Sequence, residues 1–179
     1  YNNIIYDETT NRLFFLCWSD KTLWEIDQST GAITQKTTCT AAGTIASVVA
    51  CAGVIYVLDT SRNFVKYTIA SNTWASLTAM TGSHSISQGY ARLLSDGSAW
   101  IVFVPYQSMA TAGTELMKYS ISGNTWTAAA TASAPSNTNY YISEIFNGFV
   151  YVQYYNSTDN YSAIWKYNIT GNTWTASAL

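Results

Sequence analysis

Residues able to do covalent or acid–base chemistry are few and scattered in this 179-residue chain. Its one histidine, His84, stands in a Gly-Ser-His-Ser segment. A general-base or ligand role would need a second histidine, cysteine or carboxylate nearby, so a solvated loop histidine is the simpler reading. Asp96, Glu115, Glu144 and Asp159 are the carboxylates of the second half, and no two are spaced as an acid–base pair. No phosphate-cradling glycine loop, Ser-His-Asp set or metal-ligand spacing occurs. The expectation is a chain that is not an enzyme, with no catalytic residues, no metal and no cofactor. Cys17, Cys39 and Cys51 fit no Cys-x-x-Cys site. Cys39 and Cys51 flank one predicted connection and form the candidate disulfide; the alternative is three small buried hydrophobes.

Non-covalent recognition is better supplied. Tyr106, Gln107, Tyr154, Tyr155 and Tyr161, with His84 in a neighbouring connection, form an aromatic and amide-rich candidate binding set. Such side chains stack on sugar rings or grip protein surfaces, although each tyrosine also has the option of packing its own loop. Asn156, Asn160 and Asn168 each begin an Asn-x-Ser/Thr triplet, the pattern of N-glycosylation in a secreted glycoprotein. A chain so rich in Asn, Ser and Thr also generates such triplets by chance.

Composition narrows the class. Charged residues make up 10% of the chain, against about 25% in ordinary soluble domains, while 48% are hydrophobic and 15% aromatic. Thr, Ser, Asn and Gln must therefore keep the surface soluble, which suits an extracellular, cell-surface or virion protein. Net charge is −2 and no basic run exists, which argues against nucleic acid or an anionic membrane as partner. No apolar run approaches the roughly 20 residues of a membrane helix, and membrane insertion is not expected. The chain starts at Tyr1 without a signal-like segment, so either a leader is removed or these residues belong to a longer chain.

The elements that must position any site are repeated. Tyr67-Thr-Ile-Ala-Ser-Asn-Thr-Trp74 returns as Tyr119-Ser-Ile-Ser-Gly-Asn-Thr-Trp126 and Tyr167-Asn-Ile-Thr-Gly-Asn-Thr-Trp174, each preceded by a lysine: Lys66, Lys118 or Lys166. The tryptophans stand 52 and 48 residues apart, and Ile33, in the matching place of a divergent first unit, stands 41 before Trp74. In that unit Ile26 and Ile33 replace Tyr and Trp. Each unit reads as four short strands with turn signals between them, and Asp96-Gly97 and Asn147-Gly148 predict two-residue hairpins. The run Leu13-Phe-Phe-Leu-Cys-Trp18 predicts a strand buried on both faces. Long-period units of four strands are the signature of a β-propeller, because one blade exposes two apolar faces that only neighbouring blades can bury.

The Tyr-to-Trp spacing at the end of each unit resembles the kelch repeat, and the resemblance extends over essentially the whole chain. It implies an all-β propeller with four visible four-stranded antiparallel blades, at roughly 1–36, 46–77, 88–128 and 139–179, in one domain spanning 1–179. It also implies that Tyr67, Trp74, Tyr119, Trp126, Tyr167 and Trp174 are rings wedged between blades rather than catalytic groups. The glycine pair usual after the second kelch strand is replaced by Leu58-Asp59, Val104-Pro105 and Gln153-Tyr154, hence kelch-like. Ser120 to Trp126 looks superficially like a sialidase aspartate box, but Ser122 stands where the carboxylate belongs. Arg12, Arg62 and Arg92 do not make the arginine triad of such enzymes. Galactose-oxidase-like enzymes with kelch propellers need histidine copper ligands, which His84 alone cannot supply.

Three functions are consistent with this reading: a non-catalytic scaffold binding proteins or glycans, a glycan-active enzyme or a fragment of one, and an adhesin or receptor-binding module. The blades form a small complete ring, part of a larger one, or a homo-oligomer subunit completed by a neighbour.

Overall fold

The computed structural model describes residues 4–82, 86, 91–105, 116–130, 139–156 and 161–177. All regular structure among them is β, in four antiparallel sheets of four strands taken in chain order. The first sheet holds β1 (Ile4–Asp7), β2 (Arg12–Leu16), β3 (Leu23–Ile26) and β4 (Ile33–Gln35). The second holds β5 (Ile45–Cys51), β6 (Val54–Asp59), β7 (Phe64–Thr68) and β8 (Thr73–Ser76). The third holds β9 (Ala91–Ser95), β10 (Trp100–Pro105), β11 (Met117–Ser120) and β12 (Thr125–Ala128). The fourth holds β13 (Asn139–Phe146), β14 (Phe149–Asn156), β15 (Tyr161–Asn168) and β16 (Thr173–Ser177). Contacts group the chain into two compact units of two sheets each, residues 1–89 and 90–179.

Local chemistry explains the turns. Ala52-Gly53 and Asn147-Gly148 take positive φ at both positions (51° and 78°, 49° and 77°), as a two-residue I′ hairpin requires. Asp96-Gly97 departs from that expectation. Its loop runs from Asp96 to Ala99, and the Asp96 carboxylate accepts from the amides of Ser98, Ala99 and Trp100, so side-chain capture of three amides wins over the tight turn.

The repeated octet has a specific mechanical content. Asn72, Asn124 and Asn172 all sit in the left-handed region, at φ 54°, 49° and 53°. Each carboxamide oxygen accepts the hydroxyl of the tyrosine five residues earlier, Tyr67, Tyr119 or Tyr167. The tyrosine ring in turn packs at 5.1–5.2 Å, tilted, on the tryptophan opposite it in register. The first sheet breaks the pattern consistently: Ile26 has no hydroxyl to donate, and the left-handed place belongs to Gly31, at φ 71°. Asn124→Ala is expected to lose about 2 kcal/mol, the left-handed penalty plus one hydrogen bond. Asn124→Gly should lose about half as much; equal urea midpoints for the two variants would contradict this account.

Within the first unit Ile5, Phe14, Leu16 and Leu23 of the first sheet pack against Ile55, Val57, Val65 and Tyr67 of the second. Within the second unit Leu94, Val102, Val104 and Leu116 pack against Val150, Val152, Tyr167 and Trp174. In both units, therefore, the Tyr-bearing face of the later sheet covers the opposite face of the sheet before it. We call these the leading and trailing faces. Polar stitches fix the alignment: Asp7 accepts from the Gly53 amide across the first pair, and Lys118 Nζ donates to Ile169 O, at 2.8 Å, across the second. Burial lowers the Lys118 pKa, and the Trp100 ring lies under its ammonium at 5.0 Å.

Cys17, Cys39 and Cys51 are all present as thiols, so the bridge expected between Cys39 and Cys51 is not formed in this structure. Both are buried, and burial pushes the Cys39 thiol up to about 11.

Candidate functional site

Within its own unit the leading face of the first sheet is not packed against another sheet. Cross-strand partners share a face, and the pairs Ile4–Phe15, Tyr6–Leu13, Phe15–Trp24, Leu13–Ile26 and Ile26–Ile33 define it. This corrects the expectation that Leu13 to Trp18 is buried on both faces: Phe14 and Leu16 are buried, while Phe15 is 37% exposed because its side chain projects to the other side. Ile33 is 64% exposed and Ile4 58%. Between them Phe15, Trp24, Ile26 and Ile33 line an apolar depression of about 450 Å³, within the size range of ligand sites. Trp24 is oriented by its indole N–H, which donates to Thr22 Oγ1.

Charge lies on the other side of this sheet. Glu25 is paired with Arg12 and with Lys36, and the Arg12 guanidinium also lies over the Phe14 ring. Hydrogen bonding from Arg12 holds the Glu25 carboxyl below the usual range, and the same bond raises Arg12. Glu25 therefore adds stability that is complete above its unfolded pKa, about 4.3, and is lost as pH falls through the depressed folded value. Glu25→Gln should cost about 1 kcal/mol at pH 7 for this partly exposed pair. Its penalty should shrink in denaturation curves taken below pH 4; a penalty independent of pH would refute the assignment.

The other candidates are distributed. His84, Tyr106, Gln107 and Asn160 lie outside the described residues. Tyr154 and Tyr155, expected in a loop, belong to β14, because β14 and β15 each run to eight residues. Tyr154 pairs in register with Tyr140, and Tyr161 with Asn156. Asn168 ends β15, and its side-chain oxygen accepts the Gly171 amide. Of the six repeat aromatics, Tyr67, Tyr119 and Tyr167 are fully buried, Trp126 and Trp174 are buried and Trp74 is half-buried; burial raises the phenol of Tyr167 to about 12. Among the described residues no three His, Cys, Asp or Glu side chains converge on a possible metal position, and no helix is long and apolar enough to cross a membrane.

The residues of the apolar face escaped the sequence-based candidate set. A signal was present, since the first unit alone replaces Tyr and Trp by Ile26 and Ile33. It reads as divergence until the register shows that these positions face outward.

Known proteins with this geometry share the fold and little sequence. No family model and no curated protein sequence matches the chain. Among solved structures, a Kuenenia stuttgartiensis hydrazine synthase superposes with a TM-score of 0.66 at 11% identity, over 97% of this chain and 48% of that one. A structural genomics protein of unknown function from Bacteroides thetaiotaomicron gives 0.66 at 13% identity, over 97% of this chain and 46% of that one. The chain thus spans about half the length of the structures it resembles. At such identities the likeness establishes the fold, a propeller-like all-β array of four-stranded sheets.

Proposed function

We propose that the chain is a non-catalytic, kelch-like propeller scaffold, extracellular or virion-associated, that binds other protein through a blade face. The uncovered leading face of the first sheet carries this reading. Elsewhere in the described fold such a face is core, and large apolar side chains gathered on one exposed surface are characteristic of interaction sites. The low charge and the Thr- and Asn-rich surface support the location. A photo-crosslinker, p-benzoylphenylalanine, placed at position 33 and irradiated in the expressing cell is expected to give a covalent protein adduct. No protein adduct would overturn the reading.

Glycan binding is the second reading, favoured by the register that sets Tyr140 opposite Tyr154 and brings Tyr155 and Tyr161 to the same end of the fourth sheet. Glycan-array binding lost in Tyr154→Ala with an unchanged melting curve would establish it; no array signal from the parent chain would dismiss it.

A further inference from the structure

We propose that Asn147 is a self-modification site: its carboxamide cyclises onto the Gly148 amide and hydrolyses to isoaspartate, which breaks the β13–β14 hairpin. The only co-reactant is water.

Engagement of the turn asparagines is the first observation. Five asparagines among the described residues take left-handed φ: Asn11, Asn72, Asn124, Asn147 and Asn172. Four of them hold a tyrosine hydroxyl on the carboxamide oxygen, in each case from five residues earlier: Tyr6, Tyr67, Tyr119 and Tyr167. Five residues before Asn147 stands Ile142, which has no hydroxyl to give. Asn147 is exposed, and among the described residues its carboxamide has no hydrogen-bond partner.

The following residue is the second. Arg12, Thr73, Thr125 and Thr173 come after the four held asparagines, and their side chains hinder attack by their own backbone nitrogens. Asn147 opens the one Asn-Gly pair of the chain, and glycine leaves its nitrogen unhindered. A Cβ at Gly148 would meet nothing within 4 Å, so the tip is open to solvent. Two related turns show what protection looks like. Gly53 donates its amide to Asp7 Oδ1 at 3.1 Å. At Asp96-Gly97 both reacting groups are engaged: the carboxylate holds the amides of Ser98, Ala99 and Trp100, and the Gly97 amide donates to Ser95 Oγ.

The step balances without any change of oxidation state. The Gly148 nitrogen gives its proton to hydroxide and attacks Asn147 Cγ; the new N–Cγ bond closes a succinimide, the Cγ–Nδ2 bond breaks and ammonia leaves. Water then opens the ring at either carbonyl. Opening at Cγ gives aspartate, and opening at the main-chain carbonyl gives isoaspartate, whose backbone runs through the former side chain and is one methylene longer. Either product adds one negative charge to a chain of net charge −2. The longer backbone does not fit a two-residue tip with positive φ at both positions, so Phe146 and Phe149 lose their register.

Geometry sets the pace. A left-handed residue has ψ of about +47°, which turns the following nitrogen away from the carboxamide, so the ring closes from an opened tip. The Gly148 carbonyl accepts the Ile169 amide at 3.1 Å and opposes that opening. Modification therefore runs at the unfolded-chain rate multiplied by the open fraction.

The 179-residue chain is incubated in warm, mildly alkaline buffer and sampled by peptide mapping with isoaspartyl methyltransferase labelling. Loss of the carboxamide is expected at Asn147 ahead of Asn11, Asn72, Asn124 and Asn172, with isoaspartate as the major product, and about tenfold more slowly than in the urea-unfolded chain. An intact Asn147, or loss there no faster than at Asn124, overturns the proposal. Asn147→Gly keeps a tip suited to the same turn and removes the carboxamide. Its urea midpoint should stay constant through the incubation while that of the parent chain falls; equal falls in the two proteins overturn the claim that isoaspartate breaks the hairpin.

Discussion

Asp59→Ala is expected to remove about 3–5 kcal/mol of stability, enough to unfold a marginal domain. Asp59 is fully buried at the end of β6. Its Oδ1 accepts the amides of Ser61 and Asn63, and its Oδ2 accepts the Asn63 side-chain amide and, at 2.6 Å, the amide of Gly43. Alanine would strand four donors, and each lost partner costs of order 1 kcal/mol. The carboxylate also shapes the turn that follows, where Arg62 holds a positive φ of 69°. Gly43 shows how closely the two segments meet: a Cβ there would lie 2.9 Å from Asp59 Cγ. Asp59→Asn keeps one accepting oxygen and presents an N–H to existing donors, so about half the loss is expected. Urea midpoints measure both; a loss below about 1 kcal/mol for Asp59→Ala would show that the turn is held by something else.

Asp20, Asp27 and Asp96 make similar amide-capturing turns at the surface, where water replaces whatever a substitution removes. The Asp27 carboxyl is held down to about 2, first by the Ser29 hydroxyl and then by the amides of Thr30 and Ser29. Substitution there should matter far less than at Asp59. Sequence alone does not separate these aspartates, because each precedes a polar turn. Burial separates them, and burial is set by the neighbouring sheet.

The same distinction explains what the sequence makes legible. The octet ending in Trp74, Trp126 and Trp174 encodes three things locally: a strand, a left-handed Asn and a cross-strand ring pair. The four sheets and their order follow from it. The hairpin at Asn147-Gly148 is equally local. Asp96-Gly97 misleads because side-chain capture of amides competes with the turn and cannot be seen in a dipeptide. The two faces of Leu13 to Leu16 mislead for a different reason. Both are apolar, so period-two alternation is silent, and only the presence or absence of a covering sheet decides which side is core. The candidate site is a face of that kind, and its residues look like any other core strand until the register is known.

Tyr67→Ala and Ile26→Ala test that point directly, since Tyr67 and Ile26 hold equivalent places, paired with Trp74 and Ile33. Tyr67 is fully buried, edge-on to Phe14 at 6.3 Å, tilted on Trp74 at 5.1 Å and hydrogen-bonded to Asn72. Its truncation should cost about 3–5 kcal/mol, while Tyr67→Phe, losing only the hydroxyl bond, should cost about 1 kcal/mol. Ile26 is half-buried on the face that no sheet in its unit covers. In dilute protein Ile26→Ala should therefore cost under about 1 kcal/mol, because little contact is lost. A urea midpoint far lower for Tyr67→Ala than for Ile26→Ala is the expected result. Equal losses at the two positions would mean that the leading face of the first sheet is as well covered as that of the second, against the exposure of Phe15 and Ile33.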